Sequence, residues 1–247
     1  MILRLKSVKE FITHFLTDKK TDKKDFHVYL LIGQSNMAGR APLPEKDTDT
    51  VQRGYLLNSD DMWEPARNPL NRYSSIESDI ALQKLGPGYT FLKTMLNDNI
   101  NIEIGLVVNA RGGVSIQKWV KGSHFFNEAV RRARIAKRKG VLKGIVWHQG
   151  ETDELDGQYL DKLKQFVIDL RRELDHPDLP FIAGEIRNVE LINKQIMQLP
   201  HHLSCTGAVS SEGLSCIDYW HFDTESVKLL GKRYALEMKQ LQRALNN

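Results

Sequence analysis

From residue 27 onward the chain alternates short apolar runs with longer segments of helical periodicity, and this alternation confines it to few architectures. The apolar runs are continuous rather than alternating, the pattern of strands buried on both faces. They fall at 27–32 (His27-Val28-Tyr29-Leu30-Leu31-Ile32), around 54–57, at 102–108, at 142–147 and at 180–184. Helical spacing occupies 89–98, 125–139, 157–174 and 223–243. Strands separated by helices return in the same direction, so the spacing predicts an α/β fold with a parallel sheet sandwiched between helices. Gly86-Pro87-Gly88 marks a turn ahead of the helix that carries Phe91, Leu92 and Met95. A chain of 247 residues suffices for one such domain. With no internal repeat, residues 26–247 read as a single unit.

Residues 1–25 read separately. Ile2, Leu5, Val8, Ile12 and Phe15 recur at helical spacing, and the charged run Lys19-Lys20-Thr21-Asp22-Lys23-Lys24 ends the pattern. This predicts a short amphipathic helix and a solvated linker; a basic helix on a membrane surface is the other reading. No stretch has the roughly 18 apolar residues of a membrane span. The N-terminus lacks the apolar core and cleavage site of a secretion signal, so a cytoplasmic location is expected. The two cysteines, Cys205 and Cys216, are expected as free thiols. The formal net charge of +4 is too small to argue for nucleic acid. The basic run Arg131-Arg132-Ala133-Arg134-Ile135-Ala136-Lys137-Arg138-Lys139 lacks interleaved aromatics for base stacking and reads as a solvated helix face.

The first strand ends abruptly in Gly33-Gln34-Ser35-Asn36-Met37, which carries a hydroxyl to the carboxyl edge of the sheet, where ligands bind in open α/β folds. Alone, this is also what a glycine turn with a serine helix cap looks like. Near the other end, Asp218-Tyr219-Trp220-His221-Phe222 supplies an acid three residues before a base. Serine is a weak nucleophile until a base takes its proton, and the base needs a third group to fix its ring. Ser35, His221 and Asp218 fit those roles; an ordinary imidazole, with a pKa near 6.5, suits proton transfer around neutrality. Met37 stands where the nucleophile elbow of α/β-hydrolases requires glycine, so that fold is set aside.

Two more strand ends point to the same edge. Strand 102–108 runs into Arg111-Gly112-Gly113, either an ordinary turn or a place where backbone N–H groups meet a developing oxyanion. Strand 142–147 ends in His148-Gln149-Gly150-Glu151-Thr152-Asp153. There Gln149 could donate to the same oxyanion and Glu151 could orient substrate or a neighbouring donor. His148 and Glu151 lack the companion ligands of a metal site such as His-Glu-x-x-His, so no metal or other cofactor is expected. The irregular segment 40–85, with Pro42, Pro44, Pro65, Pro69 and Trp63, reads either as one wall of a binding site or as a solvated excursion.

Taken in order, Gly33-Gln34-Ser35-Asn36-Met37, Gly112-Gly113 with Trp119 downstream, His148-Gln149-Gly150-Glu151-x-Asp153 and Asp218-x-x-His221-Phe222 resemble the SGNH-hydrolase superfamily. More narrowly they resemble its sialate O-acetylesterase-like branch, carbohydrate esterase family 6. The resemblance implies a flavodoxin-like α/β/α sandwich with a five-stranded parallel sheet. It also implies a metal-independent serine esterase that removes acetyl groups from sugars. It assigns Ser35 as nucleophile, His221 as base and Asp218 as its partner. Gln34, Gly112, Gly113, Gln149 and Glu151 join the oxyanion- and substrate-binding set.

The expected partner is therefore a small-molecule or oligosaccharide acetyl ester, on sialic acid or a xylan-type sugar, without nucleic acid or membrane. Two other readings use the same residues: an esterase or thioesterase for another acyl group, and a sugar-binding module without catalysis. Of four tryptophans, Trp220, between Asp218 and His221, is the one best placed to stack on a sugar, and Trp147 reads as core.

Overall fold

The computed structural model describes residues 22–77, 79–187 and 189–246. The helix expected before residue 21 lies outside them, and Lys23–Asp25 forms a single 3-10 turn that leads into the sheet. In chain order the elements are β1 (Phe26–Gly33), α1 (Ser35–Ala38), β2 (Gly54–Leu57), β3 (Trp63–Pro65), α2 (Gly88–Leu96) and β4 (Glu103–Ala110). They continue with α3 (His124–Ala136), β5 (Val141–His148), α4 (Tyr159–Glu173), β6 (Phe181–Gly184), α5 (Glu190–His202), β7 (Thr206–Val209) and α6 (Thr224–Asn246).

The continuous apolar character of β1 follows from its place at the centre. The sheet order is β3-β2-β4-β1-β5-β6-β7, and every pair is parallel except β2 with β3. Successive strand residues point to opposite faces. Val28, Leu30 and Ile32 therefore enter a core with Phe126 and Ala129 of α3, Leu163 and Val167 of α4, and Ile192 and Ile196 of α5. Tyr29 and Leu31 enter the opposite core with Phe91 and Leu92 of α2 and Tyr234 and Met238 of α6. Helices thus cover both faces, as the alternation predicts.

The sheet has seven strands rather than the five expected. Strands β4-β1-β5-β6-β7 carry the flavodoxin-type order, and the β2–β3 hairpin extends that sheet beyond β4. The additional elements have weak signals. β3 has three residues and ends in Pro65, and β7 is Thr206-Gly207-Ala208-Val209, small and without an apolar run. Helix α5 was also unforeseen: only Ile192, Ile196 and Leu199 are buried in a polar stretch that contains Pro200.

The segment 40–85 is not a solvated excursion. Asn71 donates from Nδ2 to the Ala110 carbonyl at 3.0 Å and accepts the Ala110 N–H at 2.9 Å. Asn109 Oδ1 accepts the Ser75 N–H at 2.8 Å and the Ser74 hydroxyl at 3.0 Å. These bonds fasten the segment to the carboxyl end of β4. The basic run on α3 is likewise engaged within the protein. Arg131 pairs with Glu128 and Asp61, Arg134 with Glu173, and Arg132 is buried with Nη2 donating to the Leu57 carbonyl at 2.8 Å. Arg132 thereby departs from the solvated-face reading. Both cysteines are free thiols. Among the described residues no helix is long and apolar enough to cross a membrane.

Candidate active site

Connections leave β1 toward β4 on one side, while the chain from β4 crosses over to β5 on the other. The carboxyl ends of β1 and β5 therefore flank a topological switch point, the place where such sheets open a crevice. Gly33 makes the turn there. Its φ is +141°, its carbonyl accepts the Arg111 N–H at 3.2 Å, and the next N–H, of Gln34, donates to the His148 carbonyl at 2.9 Å. A Cβ at position 33 would lie 2.1 Å from the His148 oxygen, so only glycine lets β1 turn between its neighbours. The turn delivers Ser35 as the first residue of α1, nearly buried.

Ser35 meets the far end of the chain. His221 Nε2 is 3.0 Å from Ser35 Oγ, and His221 Nδ1 is 2.7 Å from Asp218 Oδ2. The other Asp218 oxygen accepts the backbone N–H groups of Trp220 at 2.8 Å and His221 at 2.7 Å. Burial works against the Asp218 charge but is outweighed by the His221 ring and these two N–H donors, so its carboxyl is held below the ordinary range. A carboxylate at Nδ1 fixes the tautomer that leaves Nε2 as the acceptor toward Ser35. The loop is pinched shut by the Cys216–Phe222 bridge and by the Ile217 N–H donating to the His221 carbonyl at 2.8 Å.

The remaining predicted residues fall into two groups. Gly112 and Gly113 line the same open cleft, of about 590 Å³, with Ser35, Arg40, Trp220 and His221. A Cβ on Gly112 would sit 3.6 Å from the Ser35 Cβ, and the Gly112 N–H donates to Glu77 Oε2 at 3.3 Å. Glu77 in turn stands 3.6 Å from the Arg40 guanidinium.

Gln149 departs from expectation. It is fully buried, and its amide nitrogen faces Gln34 Oε1 at 3.0 Å, the Val114 carbonyl at 3.0 Å and Asp153 Oδ2. Three acceptors take up its two N–H groups, which leaves none for an oxyanion. Its own oxygen accepts the Tyr159 hydroxyl at 2.9 Å. Gln34 belongs to the same buried network: its Oε1 also receives the Gly150 N–H at 3.4 Å. Both glutamines act as a brace between β1 and β5.

Glu151 reaches the floor of the cleft yet is almost completely buried. Asn36, quoted in the first motif without a role, is the residue that sequence reasoning missed. Its Nδ2 donates to Glu151 Oε1 at 2.7 Å and to the Trp220 carbonyl at 3.0 Å, and its Oδ1 accepts the Phe222 N–H at 3.2 Å. Its position directly after Ser35 was the available signal. Of the tryptophans, Trp119 and Trp147 are core, packed edge to face at 5.2 Å, and Trp63 packs on Phe26. Trp220 alone lines the cleft, with Tyr219 against it at 4.4 Å. No cluster of three metal-ligating side chains occurs among the described residues.

The family model for carbohydrate esterases of the sialic acid-specific acetylesterase type matches residues 25–240. A probable carbohydrate esterase of Arabidopsis thaliana is 30% identical over 236 residues, covering 83% of this chain and 86% of the relative. A crystal structure of an Arabidopsis thaliana protein superposes with a TM-score of 0.78 at 27% identity, over 87% of this chain and 98% of that one. NanS shares the fold at a TM-score of 0.72 and 17% identity, over 90% and 99% of the two chains.

Proposed function

The chain belongs to the sialic acid-specific acetylesterase family of carbohydrate esterases and is a carboxylic ester hydrolase, and we propose that it removes acetyl groups from sugar hydroxyls through a Ser35–His221–Asp218 triad. The observation that carries this reading is the unbroken chain of contacts from Ser35 Oγ to His221 Nε2 at 3.0 Å and from Nδ1 to Asp218 at 2.7 Å. Their order matches what an acyl-transfer nucleophile needs: a base within reach and a carboxylate behind it.

In the proposed cycle, Ser35 Oγ attacks the acetyl carbonyl while His221 Nε2 takes its proton. Negative charge develops on the carbonyl oxygen, and backbone N–H groups of Ser35 and the Gly112-Gly113 turn meet it. The Gly112 N–H, which donates to Glu77 Oε2 at 3.3 Å, must exchange that long contact for the oxyanion to serve in this role. The tetrahedral adduct collapses, the C–O bond to the sugar breaks, and His221 returns the proton to the sugar oxygen. Water then loses a proton to His221 and attacks the acetyl-serine. The proton goes back to Ser35 Oγ as acetate leaves. Asp218 stays ionised throughout and balances the imidazolium, which its lowered pKa favours.

A carbohydrate partner fits the cleft because Trp220 offers an aromatic face beside His221, with the polar side chains of Arg40, Thr152 and Glu154 in the same lining. The test measures acetate release from p-nitrophenyl acetate, acetylated xylo-oligosaccharides and O-acetylated sialic acid, with Ser35→Ala and His221→Ala alongside. Loss in both variants with preference for one sugar ester is the expected result. Hydrolysis by Ser35→Ala near the unmodified rate would overturn the nucleophile assignment. A p-nitrophenyl ester series in which longer acyl groups react faster would overturn the acetyl assignment.

A further inference from the structure

We propose that Glu151 is a positioning residue for His221, acting through Asn36: its carboxylate holds the Asn36 amide, and Asn36 holds the backbone on both sides of the base. This rests on the reading of His221 as the base. The geometry is a relay. From Glu151 Oε1 the contact passes to Asn36 Nδ2 at 2.7 Å; the same Nδ2 donates to the Trp220 carbonyl at 3.0 Å, and Asn36 Oδ1 accepts the Phe222 N–H at 3.2 Å. Residues 220 and 222 flank His221, so the Asn36 side chain sets where the imidazole stands over Ser35. The bonds to residues 220 and 222 tie the buried Asn36 amide to the loop, and Glu151 supplies its anchor on the sheet side.

The surroundings bear on the charge that Glu151 carries. Glu151 Oε2 and His148 Nε2 are both buried without a hydrogen-bond partner. Tyr234 donates its hydroxyl to the Trp147 carbonyl at 3.1 Å, so at 2.8 Å it accepts from His148 Nδ1–H. Nε2 of His148 is thereby left a bare lone pair, 3.7 Å from Glu151 Oε1. Burial lowers the His148 pKa to about 3, so the ring is neutral and this approach is not an ion pair.

The other titratable groups facing Glu151 are Asp153 on its own turn, Tyr159 of α4, Tyr234 of α6 and Cys216 on the His221 loop. None of these supplies a positive charge. Burial, with a smaller push from Asp153, therefore raises Glu151 to about 7 despite the backbone N–H of its own turn and the bond from Asn36. An ionised carboxylate binds the amide more strongly than a neutral acid does. Protonation of Glu151 accordingly slackens Asn36 and with it the base.

The experiment compares unmodified protein, Glu151→Gln, Asn36→Ala and the double variant on p-nitrophenyl acetate from pH 5 to 9. Glu151→Gln keeps the shape and an acceptor oxygen but removes the charge. We expect kcat at pH 8 to fall roughly tenfold with KM within about twofold, the signature of a displaced catalytic group. In the Asn36→Ala background the same change should cost less than about twofold, because the relay is already broken.

Because Glu151 of the unmodified protein protonates as pH falls through about 7, its tenfold advantage over Glu151→Gln at pH 8 should shrink to less than about twofold by pH 5. A ratio that stays constant across this pH range, or losses at Glu151 and Asn36 that multiply independently, would overturn the proposal even with the esterase activity intact. If the unmodified protein hydrolyses the ester and Ser35→Ala is equally active, the triad reading fails instead. Circular dichroism of each variant separates misfolding from displacement. If Asn36→Ala does not fold, the pH dependence of the activity ratio between unmodified protein and Glu151→Gln decides alone.

Discussion

Ser35 is 6% exposed and stands where a glycine turn passes between two buried strands, whereas the Asp218 side chain is 49% exposed on a loop that the chain reaches 183 residues later. The position of Ser35 is dictated by the core: Gly33 is paired with Ala110 on one side and His148 on the other, and Gln34 and Gln149 brace the strand ends. His221 is placed by local bonds, Asp218 accepting three donors within its own loop, and by the clamp of Asn36 from outside it. One half of the site is rigid because it cannot move without opening the sheet. The other half is adjustable, and a small number of hydrogen bonds decide its geometry.

The contrast can be broken most severely at the reacting atoms. Ser35→Ala and His221→Ala should each lower kcat on p-nitrophenyl acetate by about 10⁴-fold, with folding retained by circular dichroism. At the next level, the two regions should respond differently to the same change. Gly33→Ala forces a Cβ onto the His148 carbonyl and should cost about 4 kcal/mol in urea unfolding. Gly213→Ala, on the loop before Asp218, has φ +75° but no atom within 4 Å, and should cost only about 1 kcal/mol. Similar losses at both positions would show that the two halves are equally constrained.

Glu151 links the halves and sharpens the comparison through pH. Its folded pKa, about 7, lies above its ordinary value, so the fold is favoured while the group is protonated. That advantage is lost as pH rises toward 7, by up to about 3 kcal/mol on the conversion of 1.36 kcal/mol per pH unit. Glu151→Gln should therefore be more stable than the unmodified protein at pH 8, with the difference shrinking toward pH 5 in thermal or urea melts. Asp218→Asn should lower kcat by about 10²-fold, since solvent partly replaces an orienting carboxylate that is half exposed. Least severe is Trp220→Ala, expected to raise KM for an acetylated oligosaccharide about fivefold and to leave p-nitrophenyl acetate within about twofold. Equal effects on both substrates would remove Trp220 from sugar contact.

The same division explains what could be read from sequence. β1, β4 and β5 carry long continuous apolar runs because both faces are buried, and such runs are unambiguous. β3, β7 and α5 were missed because their burial is supplied by neighbours: β7 is formed of small residues against β6, and α5 buries three aliphatics in a polar stretch. At the site, the Ser35 turn and the Asp218–His221 pair stood out in the sequence because these groups have distinctive chemistry and a helical i, i+3 spacing within the pair, and the structure brings them together. Roles that depend on hydrogen-bond direction were not legible. Gln149 was expected to face an oxyanion, yet its N–H groups are taken up by Gln34, Val114 and Asp153. Asn36 showed no pattern until the loop it holds came to it from the other end of the chain.

That long separation has a consequence for how the protein comes into being. Ser35 follows the central strand and is synthesised early, while His221 precedes only the last helix, α6, whose Tyr234 and Met238 complete one of the two cores. If Ser35 and His221 act as proposed, a chain whose sheet has formed but whose 218–222 loop has not docked holds a serine with no base and does not turn over esters. Onset of ester turnover during refolding then reads out the docking of that loop on the sheet edge, a contact between residues 186 positions apart.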